Sequence, residues 1–257
     1  MTPFAALHHR PGRPLLLPNA WDHASAASLA AAGHLAIGTT SLGVAAAAGL
    51  PDGAAATRAE TVRLARRLGG GDFLLTVDAE SGFSDDPDEV AALAVELAQA
   101  GAVGINLEDA RADGTLTPVA VHAAKVAAVK AAVPELFVNA RTDTYRSGQD
   151  DPEPETLRRL AAYREAGADG VFVPWLAEPA VIARLVGAVG LPLNILLTPT
   201  GPGLAELAGL GVARVSLGSL LYRSALAAAV ATAAAVAAGE PVGPAPGYAE
   251  VQALNER

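Results

Sequence analysis

Carboxylate side chains follow three successive apolar runs of this sequence, at the point where each run ends. Asp78 and Glu80 follow the first of these runs, Glu108 and Asp109 follow the second, and Asp143 follows the third. Ionised carboxylates in one site repel one another, so holding them together costs free energy unless a cation offsets their charge. If the three runs are neighbouring strands, the pattern indicates a divalent metal site.

The available donors limit which metal such a site could hold. The 257 residues include no Cys, which excludes a thiolate nucleophile, a cysteine acid and a zinc–thiolate site. The five His lie in the N-terminal arm or in and next to predicted helices, and they do not follow the apolar runs. An all-oxygen set of ligands suits a hard cation, so we predict Mg²⁺, with Mn²⁺ as the alternative.

Arg141 stands among these acids at the end of the third run. A guanidinium is the best bidentate partner for a carboxylate, so Arg141 is a candidate to bind an anionic substrate. Thr40 and Ser41, followed by Gly43, offer hydroxyl and backbone N–H donors to the same ligand, and Asn194 lies in a later apolar run. The alternative is that Arg141 only neutralises the acids, and that some acids cap helices or pair with arginines.

The apolar runs alternate with amphipathic segments along the chain, which is typical of βα units that form a parallel sheet. Eight such units favour one closed (β/α)8 TIM-type barrel over about residues 14–238. No Gly-x-Gly-x-x-Gly motif opens a helix after the first strand, which disfavours an open doubly wound sheet. The predicted strands are 14–18, 35–39, 73–78, 103–107, 136–140, 170–174, 192–196 and 213–217.

The segments between these strands are predicted to be helices, and their ends carry the expected residues. Asp86 and Glu178 each precede a proline suited to a first helical turn, while Gly33, Gly101 and Gly167 stand where helices need a left-handed residue to end. Functional groups of α/β barrels lie at the carboxyl ends of the strands, so the acids and the arginine should converge there. The predicted helices are 22–32, 56–68, 87–100, 118–132, 154–166, 179–188, 204–210 and 219–238.

The composition narrows the possible partners. Eighteen Lys+Arg against 27 Asp+Glu give a net charge of -9, which repels nucleic acid, and no basic stripe offsets it. The N-terminal residues lack the apolar segment of a signal peptide, so we expect a cytoplasmic protein. Residues 224–239 are mostly alanine and are predicted to form a packed helix, not a membrane span.

Six motifs, in this order along most of the chain, resemble those of the isocitrate lyase and phosphoenolpyruvate mutase superfamily. They are PNAWD at 18–22, TTSLGV at 39–44, GLPDG at 49–53, VDAESGF at 77–83, NLED at 106–109 and NARTD at 139–143. Each motif alone is a weak signal, but the ordered set is specific. The resemblance implies a Mg²⁺-dependent barrel that acts on a 2-oxo acid.

Carried over to this sequence, the resemblance implies that Asp78 binds Mg²⁺ most directly, and that Glu80, Glu108 and Asp52 reach the ion mainly through waters. Position 80 is Glu where many family members have Asp, so the water network should be arranged differently. Arg141 would then hold the 2-oxo acid. The residues expected to contact substrate are Trp21, Thr40, Ser41, Leu42, Gly43, Asp78, Arg141 and Asn194.

The resemblance also implies a homo-oligomer. Family members form dimers or tetramers that exchange a C-terminal helix between subunits. Residues 240–247 are rich in Pro and Gly and would serve as the hinge of a C-terminal extension at about 239–257. We therefore expect a homodimer or homotetramer.

The segment after Glu108 departs from the family pattern. Isocitrate and methylisocitrate lyases carry a Lys-Lys/Arg-Cys-Gly-His gating motif there, and the mutases carry a Lys and an Asn, whereas this chain has DARADGTLTP at 109–118. The departure places the chain in the broad phosphonomutase-like branch. We expect the loop 110–118 to be mobile without ligand and to close over substrate.

The leading hypothesis is a Mg²⁺-dependent lyase that breaks or forms a carbon–carbon bond next to a 2-oxo acid. Arg141 would stabilise the enolate, and Asp52 or Glu108 would accept the proton of the substrate hydroxyl. The alternative enzymes are a phosphonomutase or phosphonopyruvate hydrolase, and a hydrolase of oxaloacetate or a related acid. A third alternative is a non-catalytic protein that binds a 2-oxo dicarboxylate such as 2-oxoglutarate.

Overall fold

The computed structural model describes residues 1–146 and 150–256, in which parallel strands alternate with helices. Each of the eight predicted strands is present, with ends shifted by at most one residue. The strands are β1 Leu15–Leu17, β2 Asn19–Ala20, β3 Ala36–Thr39, β4 Leu74–Asp78, β5 Ala102–Glu108, β6 Phe137–Arg141, β7 Gly170–Val173, β8 Leu193–Leu196 and β9 Arg214–Ser216.

All eight predicted helices are also present, and three more are added to them. The helices are α1 Pro3–Ala6, α2 His23–Ala31, α3 Ser41–Ala48, α4 Arg58–Leu68, α5 Pro87–Gln99, α6 Val119–Ala132, α7 Glu153–Glu165, α8 Pro179–Val189, α9 Leu204–Gly209, α10 Leu220–Ala238 and α11 Tyr248–Ala253. As predicted, Gly101 and Gly167 follow helices with φ of +98°. The Asp86 side chain accepts a hydrogen bond at the start of α5, whose first turn contains Pro87.

The sheet closes into a barrel at Pro18. All neighbouring strands pair in parallel, and the nine-strand order begins with β1 beside β9 and ends with β3 beside β2. The strands β1 and β2 are two halves of one barrel strand, because Pro18 lacks an N–H group and interrupts the ladder between them. The Pro18 carbonyl still accepts the Gly38 N–H at 2.9 Å. The observed barrel therefore has eight strands, which confirms the predicted fold class.

The close approach of the first strand to β3 requires glycine at position 38. A Cβ at Gly38 would lie 2.7 Å from Asn19 Nδ2 and 3.0 Å from a Leu17 methyl group. Asn19 uses that Nδ2 to donate to the Thr39 carbonyl at 2.8 Å. A larger residue would displace Asn19, which lines the cavity described below.

The main apolar core lies between the barrel and its helices, and a second, smaller cluster closes the amino end of the barrel. There, α1 places Phe4 edge-on against Phe137, and His8 stacks on the Phe137 ring at 4.3 Å. The sequence analysis predicted no helix at α1. Since the amino end is plugged, the open end of the barrel is the end where the acidic residues lie.

Helix α10 differs from its predicted environment. The helix is present as expected, but none of its residues is fully buried within this chain. Its first turn contacts the barrel through Tyr222, and nearly all of the residues that follow are exposed. Within the described residues it is the one helix whose length and apolar composition would suffice to cross a membrane. The C-terminal segment contacts α2 of the same chain, where the His23 ring lies 3.1 Å from the Leu254 carbonyl.

The buried His122 predicts a pH dependence of stability. Burial, assisted by the cations Lys125 and Arg159, lowers the pKa of His122 to about 3. The folded protein keeps this ring neutral, while the unfolded chain takes up a proton below pH 6.5. His122 therefore lowers stability by about 1.4 kcal/mol per pH unit as pH falls from 6.5 towards 3.

In the variant His122→Leu this contribution is absent. We expect the variant to gain about 2 kcal/mol in free energy of unfolding, relative to wild type, between pH 7.5 and pH 5. Urea denaturation at both pH values measures the difference. A gap between wild type and variant that does not change with pH would contradict the assignment.

Candidate active site

The carboxyl ends of the strands surround one cavity of about 730 Å³. This convergence is the one expected from the strand ends in the sequence. The predicted site residues that line the cavity are Thr40, Ser41, Leu42, Asp52, Asp78, Glu108 and Arg141.

Asp78 ends β4 at the first turn of α3. Its Oδ2 accepts the backbone N–H of Ser41 at 3.2 Å, and its own N–H donates to Thr39 Oγ1 at 2.9 Å. The Asp78 carboxylate thus meets the positive end of the α3 dipole, which stabilises its ionised form. The sequence analysis predicted no helix over 41–48, where α3 is observed. The Ser41 N–H, expected to bind substrate, is instead engaged by Asp78.

The surroundings of Asp78 fit a divalent cation. Its Oδ1 is buried with no hydrogen-bond partner among the described residues, and burial raises the pKa of this carboxyl despite the nearby Arg141. No three His, Cys, Asp or Glu side chains in residues 1–146 and 150–256 are grouped as a complete metal cage. An ion that takes one or two carboxylates and keeps its waters, as Mg²⁺ does, suits this arrangement.

Arg141 is held by two carboxylates. Its Nε and Nη2 each donate to the Asp143 carboxylate at 2.8 Å, and its Nη1 lies 2.7 Å from Glu108 Oε2. The guanidinium carbon also lies 5.5 Å from the centre of the Phe172 ring. Since a guanidinium has five N–H donors, both terminal nitrogens retain a donor for a ligand. The two interpretations of Arg141 are therefore compatible, because it neutralises acids and lines the cavity.

Glu108 lies beside Arg141 on the neighbouring strand, in register with it. Burial raises the pKa of Glu108 to about 8, although the charge of Arg141 acts in the opposite direction. The carboxyl groups of Asp143 and Asp78 add to the rise. The acids are thus too many for one arginine, and the excess charge is the property that favours a bound cation.

Three of the acids that follow the strands do not line the cavity. Glu80 is buried and accepts a short hydrogen bond from the Thr57 hydroxyl, and burial raises the pKa of Glu80 to about 7. Asp109 pairs with Arg159, and Asp143 pairs with the arginine described above. For Asp109 and Asp143 the alternative of an ion pair with arginine is the one observed.

Three predicted substrate contacts also lie outside the cavity lining. Trp21 packs edge-on against Tyr222 at 5.2 Å. Gly43 permits this packing, since a Cβ there would lie 2.9 Å from Trp21 Cβ. Asn194 is buried inside the barrel, and neither its Oδ1 nor its Nδ2 has a partner among the described residues.

The cavity has further polar and aromatic lining that the sequence analysis did not assign to it. Trp175 has a positive φ of 66° and is half exposed, while Arg111, Arg146 and Arg223 add three cations. Asn106, also in the lining, belongs to a quoted motif and could have been found from its position in β5. The three arginines do not directly follow a strand. The expectation that functional residues stand at the carboxyl ends of strands therefore could not identify them.

The loop 110–118 is more ordered than its composition suggests. Ala110 and Leu116 form an antiparallel bridge, and Arg111 N–H donates to the Thr115 carbonyl at 2.9 Å. The Arg111 guanidinium lies 2.5 Å from the Asp85 carboxylate. The expected mobility and closure of this loop remain a prediction, and the Arg111–Asp85 pair is the contact that would have to open.

Fold and site together define an α/β barrel with an acidic, arginine-containing cavity at the carboxyl ends of its strands. The chain belongs to the phosphoenolpyruvate phosphomutase family, whose model matches residues 4–237. This membership confirms the resemblance found in the sequence motifs.

Two relatives and a solved structure illustrate the range of the similarity. An uncharacterised protein of Mycobacterium tuberculosis H37Rv is 46% identical over 97% of this chain and 95% of its own length. The 2-methylisocitrate lyase of Bacillus subtilis 168 is 31% identical over 73% of this chain and 64% of the lyase. A Burkholderia cenocepacia J2315 protein, provisionally named a phosphonomutase, has a TM-score of 0.84 at 41% identity, covering 89% and 96% of the two chains.

The first prediction from the site concerns the metal. Asp78→Asn removes the carboxylate charge but keeps the shape of the side chain, so we expect Mg²⁺ and Mn²⁺ binding to be lost. Isothermal titration calorimetry measures the binding. Asp88→Asn, which changes an exposed acid in the first turn of α5, should bind both ions like wild type. Equal heats for wild type and Asp78→Asn would disprove the metal assignment.

The second prediction concerns the loop 110–118. Asp85→Asn removes the charge that holds Arg111, and the amide of the variant would still offer an oxygen to the buried Lys125, which now donates to Asp85 at 2.9 Å. We expect trypsin to cut after Arg111 several-fold faster in this variant. Mass spectrometry of timed digests identifies the cut. Unchanged cleavage in the variant would show that the ion pair does not restrain the loop.

Proposed function

We propose that this protein is a Mg²⁺-dependent lyase that breaks or forms a carbon–carbon bond next to a 2-oxo acid. The observation that carries the proposal is the pairing, in one cavity, of Asp78 with its unpartnered Oδ1 and Arg141 with donors left on both terminal nitrogens. A small anion with adjacent keto and carboxylate oxygens matches such a pair, since its oxygens need both a cation and a planar donor.

Asp78 is the residue that would hold the ion, and Glu108 and Asp52 are the other carboxylates in the cavity lining. When bound, Mg²⁺ would offset the charge of these acids and polarise the oxygens of the 2-oxo acid. Glu80 contributes less directly, because its carboxyl group is turned towards Thr57.

Arg141 stabilises negative charge that develops on the substrate. Cleavage next to a 2-oxo acid converts a hydroxyl carbon into the keto carbon, and the electrons of the broken bond pass to the leaving fragment as an enolate. A guanidinium already oriented by Asp143 and Glu108 needs no rearrangement to meet that charge.

The hydroxyl proton of the substrate needs an acceptor. Asp52 lines the cavity and is exposed, whereas Glu108 is buried and faces Arg141 at 2.7 Å. We assign the proton to Asp52 and the orientation of the arginine to Glu108. The proton later returns to the enolate carbon of the leaving fragment, which completes the balance.

The lyase is preferred to the other enzymes because the Bacillus subtilis relative is named a 2-methylisocitrate lyase. The Burkholderia protein favours the phosphonomutase alternative, in which the same arginine would stabilise an enolate formed by carbon–phosphorus chemistry. Hydrolysis of oxaloacetate and simple binding of a 2-oxo dicarboxylate stay as the further alternatives.

We also propose that the protein is a homodimer or homotetramer. Helix α10 supports it, since Leu226, Val230 and Val236 are 51%, 72% and 64% exposed on a helix that has no fully buried residue within its own chain. An apolar face of this kind is typical of a subunit interface. The cytoplasmic location also stays a prediction.

The direct test of function is an activity panel with Mg²⁺. Candidate substrates are 2-hydroxy tricarboxylates and malate derivatives, phosphonopyruvate and oxaloacetate. The assay follows formation of a 2-oxo acid, of phosphoenolpyruvate or of inorganic phosphate, and loss of oxaloacetate. Turnover of a hydroxy acid supports the lyase, turnover of phosphonopyruvate supports the mutase or phosphonopyruvate hydrolase, and turnover of oxaloacetate supports the hydrolase of that acid. No turnover of any of them, with 2-oxoglutarate bound, supports the binding protein.

A substitution of Arg141 tests the ligand class. Arg141→Lys keeps the charge but loses the planar fork, and one charge-assisted hydrogen bond contributes about 1.5–3 kcal/mol. We therefore expect at least tenfold weaker binding of pyruvate or oxaloacetate by calorimetry, with Mg²⁺ affinity little changed. Wild type should prefer these acids to acetate and propionate. Equal competition by acetate, or unchanged affinity in Arg141→Lys, would refute the proposal that Mg²⁺ and Arg141 together bind the keto and carboxylate oxygens.

A further inference from the structure

Asp109 lies directly behind the cavity and is completely buried. It follows Glu108 at the end of β5, but its side chain faces α7. Its Oδ2 accepts the hydroxyl of Tyr163 at 2.7 Å and Arg159 Nη1 at 2.9 Å. Both donors come from α7, some fifty residues later in the chain, so this carboxylate joins a barrel strand to an outer helix.

The other oxygen of Asp109 is linked to Arg141 through Asp143. Its Oδ1 accepts the backbone N–H of Asp143 at 3.1 Å. The Asp143 carboxylate in turn binds both Nε and Nη2 of Arg141. The position of the guanidinium in the cavity therefore depends on a hydrogen bond that Asp109 makes to the backbone two residues along the chain from Arg141.

The same group also closes the base of the loop 110–118. The Asp109 carbonyl accepts the Thr117 N–H at 2.7 Å, and Arg159 Nη1 donates to the Thr117 carbonyl at 2.9 Å. The two ends of the loop are thus held together by the residues that orient Arg141.

A buried ion pair adds little net stability compared with apolar packing, because both charges lose their hydration. Here the pair fixes the orientation of the Asp109 carboxylate, since each of its oxygens has a defined partner. We propose that Asp109, held by Tyr163 and Arg159, is a positioning residue that sets the orientation of Arg141 towards the ligand. The inference rests on the proposed function, in which Arg141 binds the 2-oxo acid.

The test removes one hydroxyl. Tyr163→Phe deletes a donor to Asp109 and keeps the ring that packs on His122 at 4.5 Å. The variant loses one charge-assisted hydrogen bond to Asp109, and with it part of the support that orients Arg141. With saturating Mg²⁺, we therefore expect pyruvate to bind about tenfold more weakly by calorimetry. Mg²⁺ affinity should stay within about twofold, since Asp78 lies on another strand. Arg159→Lys should act in the same direction, because the lysine side chain ends one bond short of the Nη1 atom that now donates to Asp109 and Thr117.

A double-mutant cycle separates positioning from general loosening. In an Arg141→Lys background the planar fork that Asp143 grips is gone, so adding Tyr163→Phe should weaken pyruvate binding by less than about twofold. A change that acts on the protein as a whole would weaken binding equally in both backgrounds.

The chain offers a matched control at the other end of β6. Asp169 Oδ2 accepts the Val138 N–H at 2.8 Å and Lys130 Nζ at 2.8 Å, so it also links this strand to a helix by one carboxylate. Asp169→Asn should lower the melting temperature as Tyr163→Phe does, without changing pyruvate affinity.

Two failures are distinguishable. If wild type binds no 2-oxo acid in the presence of Mg²⁺, the proposed function is wrong. If wild type binds pyruvate and both Tyr163→Phe and Arg159→Lys bind it equally well, Asp109 is not a positioning residue. The same conclusion follows if Tyr163→Phe weakens pyruvate binding in the Arg141→Lys background as much as it does in wild type.

Discussion

Charge balance at the carboxyl end of the barrel is the constraint on which the site depends. Asp78, Glu108 and Asp143 surround one guanidinium, that of Arg141, and burial raises the pKa of Glu108 to about 8. Burial also raises the pKa of Asp78, whose Oδ1 has no partner among the described residues. Such a cluster needs added positive charge to hold all its acids ionised, and this need is the physical basis of the proposed cation site.

The barrel interior beneath the site is polar as well. Asn106 Oδ1 accepts Asn139 Nδ2 at 2.9 Å and Arg214 Nη2 at 3.1 Å, and Arg214 is wholly buried. Burial lowers the pKa of Arg214 to about 9, and the charge of Asp78 opposes that shift. A cation inside the barrel thus offsets part of the acidic charge above it, while the apolar plug formed by α1 closes the other end.

The architecture could be predicted because it follows from local patterns. Short apolar runs, each ended by turn residues, predicted strand positions within a residue of those observed. Helix α3 could not be found in this way, since the residues 41–48 are almost all small or apolar and have no polar face to mark a helical period. The short α1 likewise has too few residues to produce a period.

Strand ends also located the cavity, and Asp78, Glu108, Arg141 and Asp52 all line it. The rule failed where a side chain turns away from the cavity. Glu80 turns to Thr57 and Asp109 turns to α7, although both stand next to residues that line the site. The period and spacing of residues do not show which acids face the cavity and which turn away from it. The partner that decides the orientation of each side chain lies on a different helix, strand or loop.

The sequence by itself determined the barrel, the acidic end of its strands and the absence of thiolate chemistry, because these follow from residue types and from the alternation of strands and helices. Only the tertiary structure decided which acids face the ligand and which support Arg141. The physical reason is that a buried carboxylate points to whichever donors offset its charge. For Asp109 those donors, Arg159 and Tyr163, come from some fifty residues away and meet it only in the folded chain.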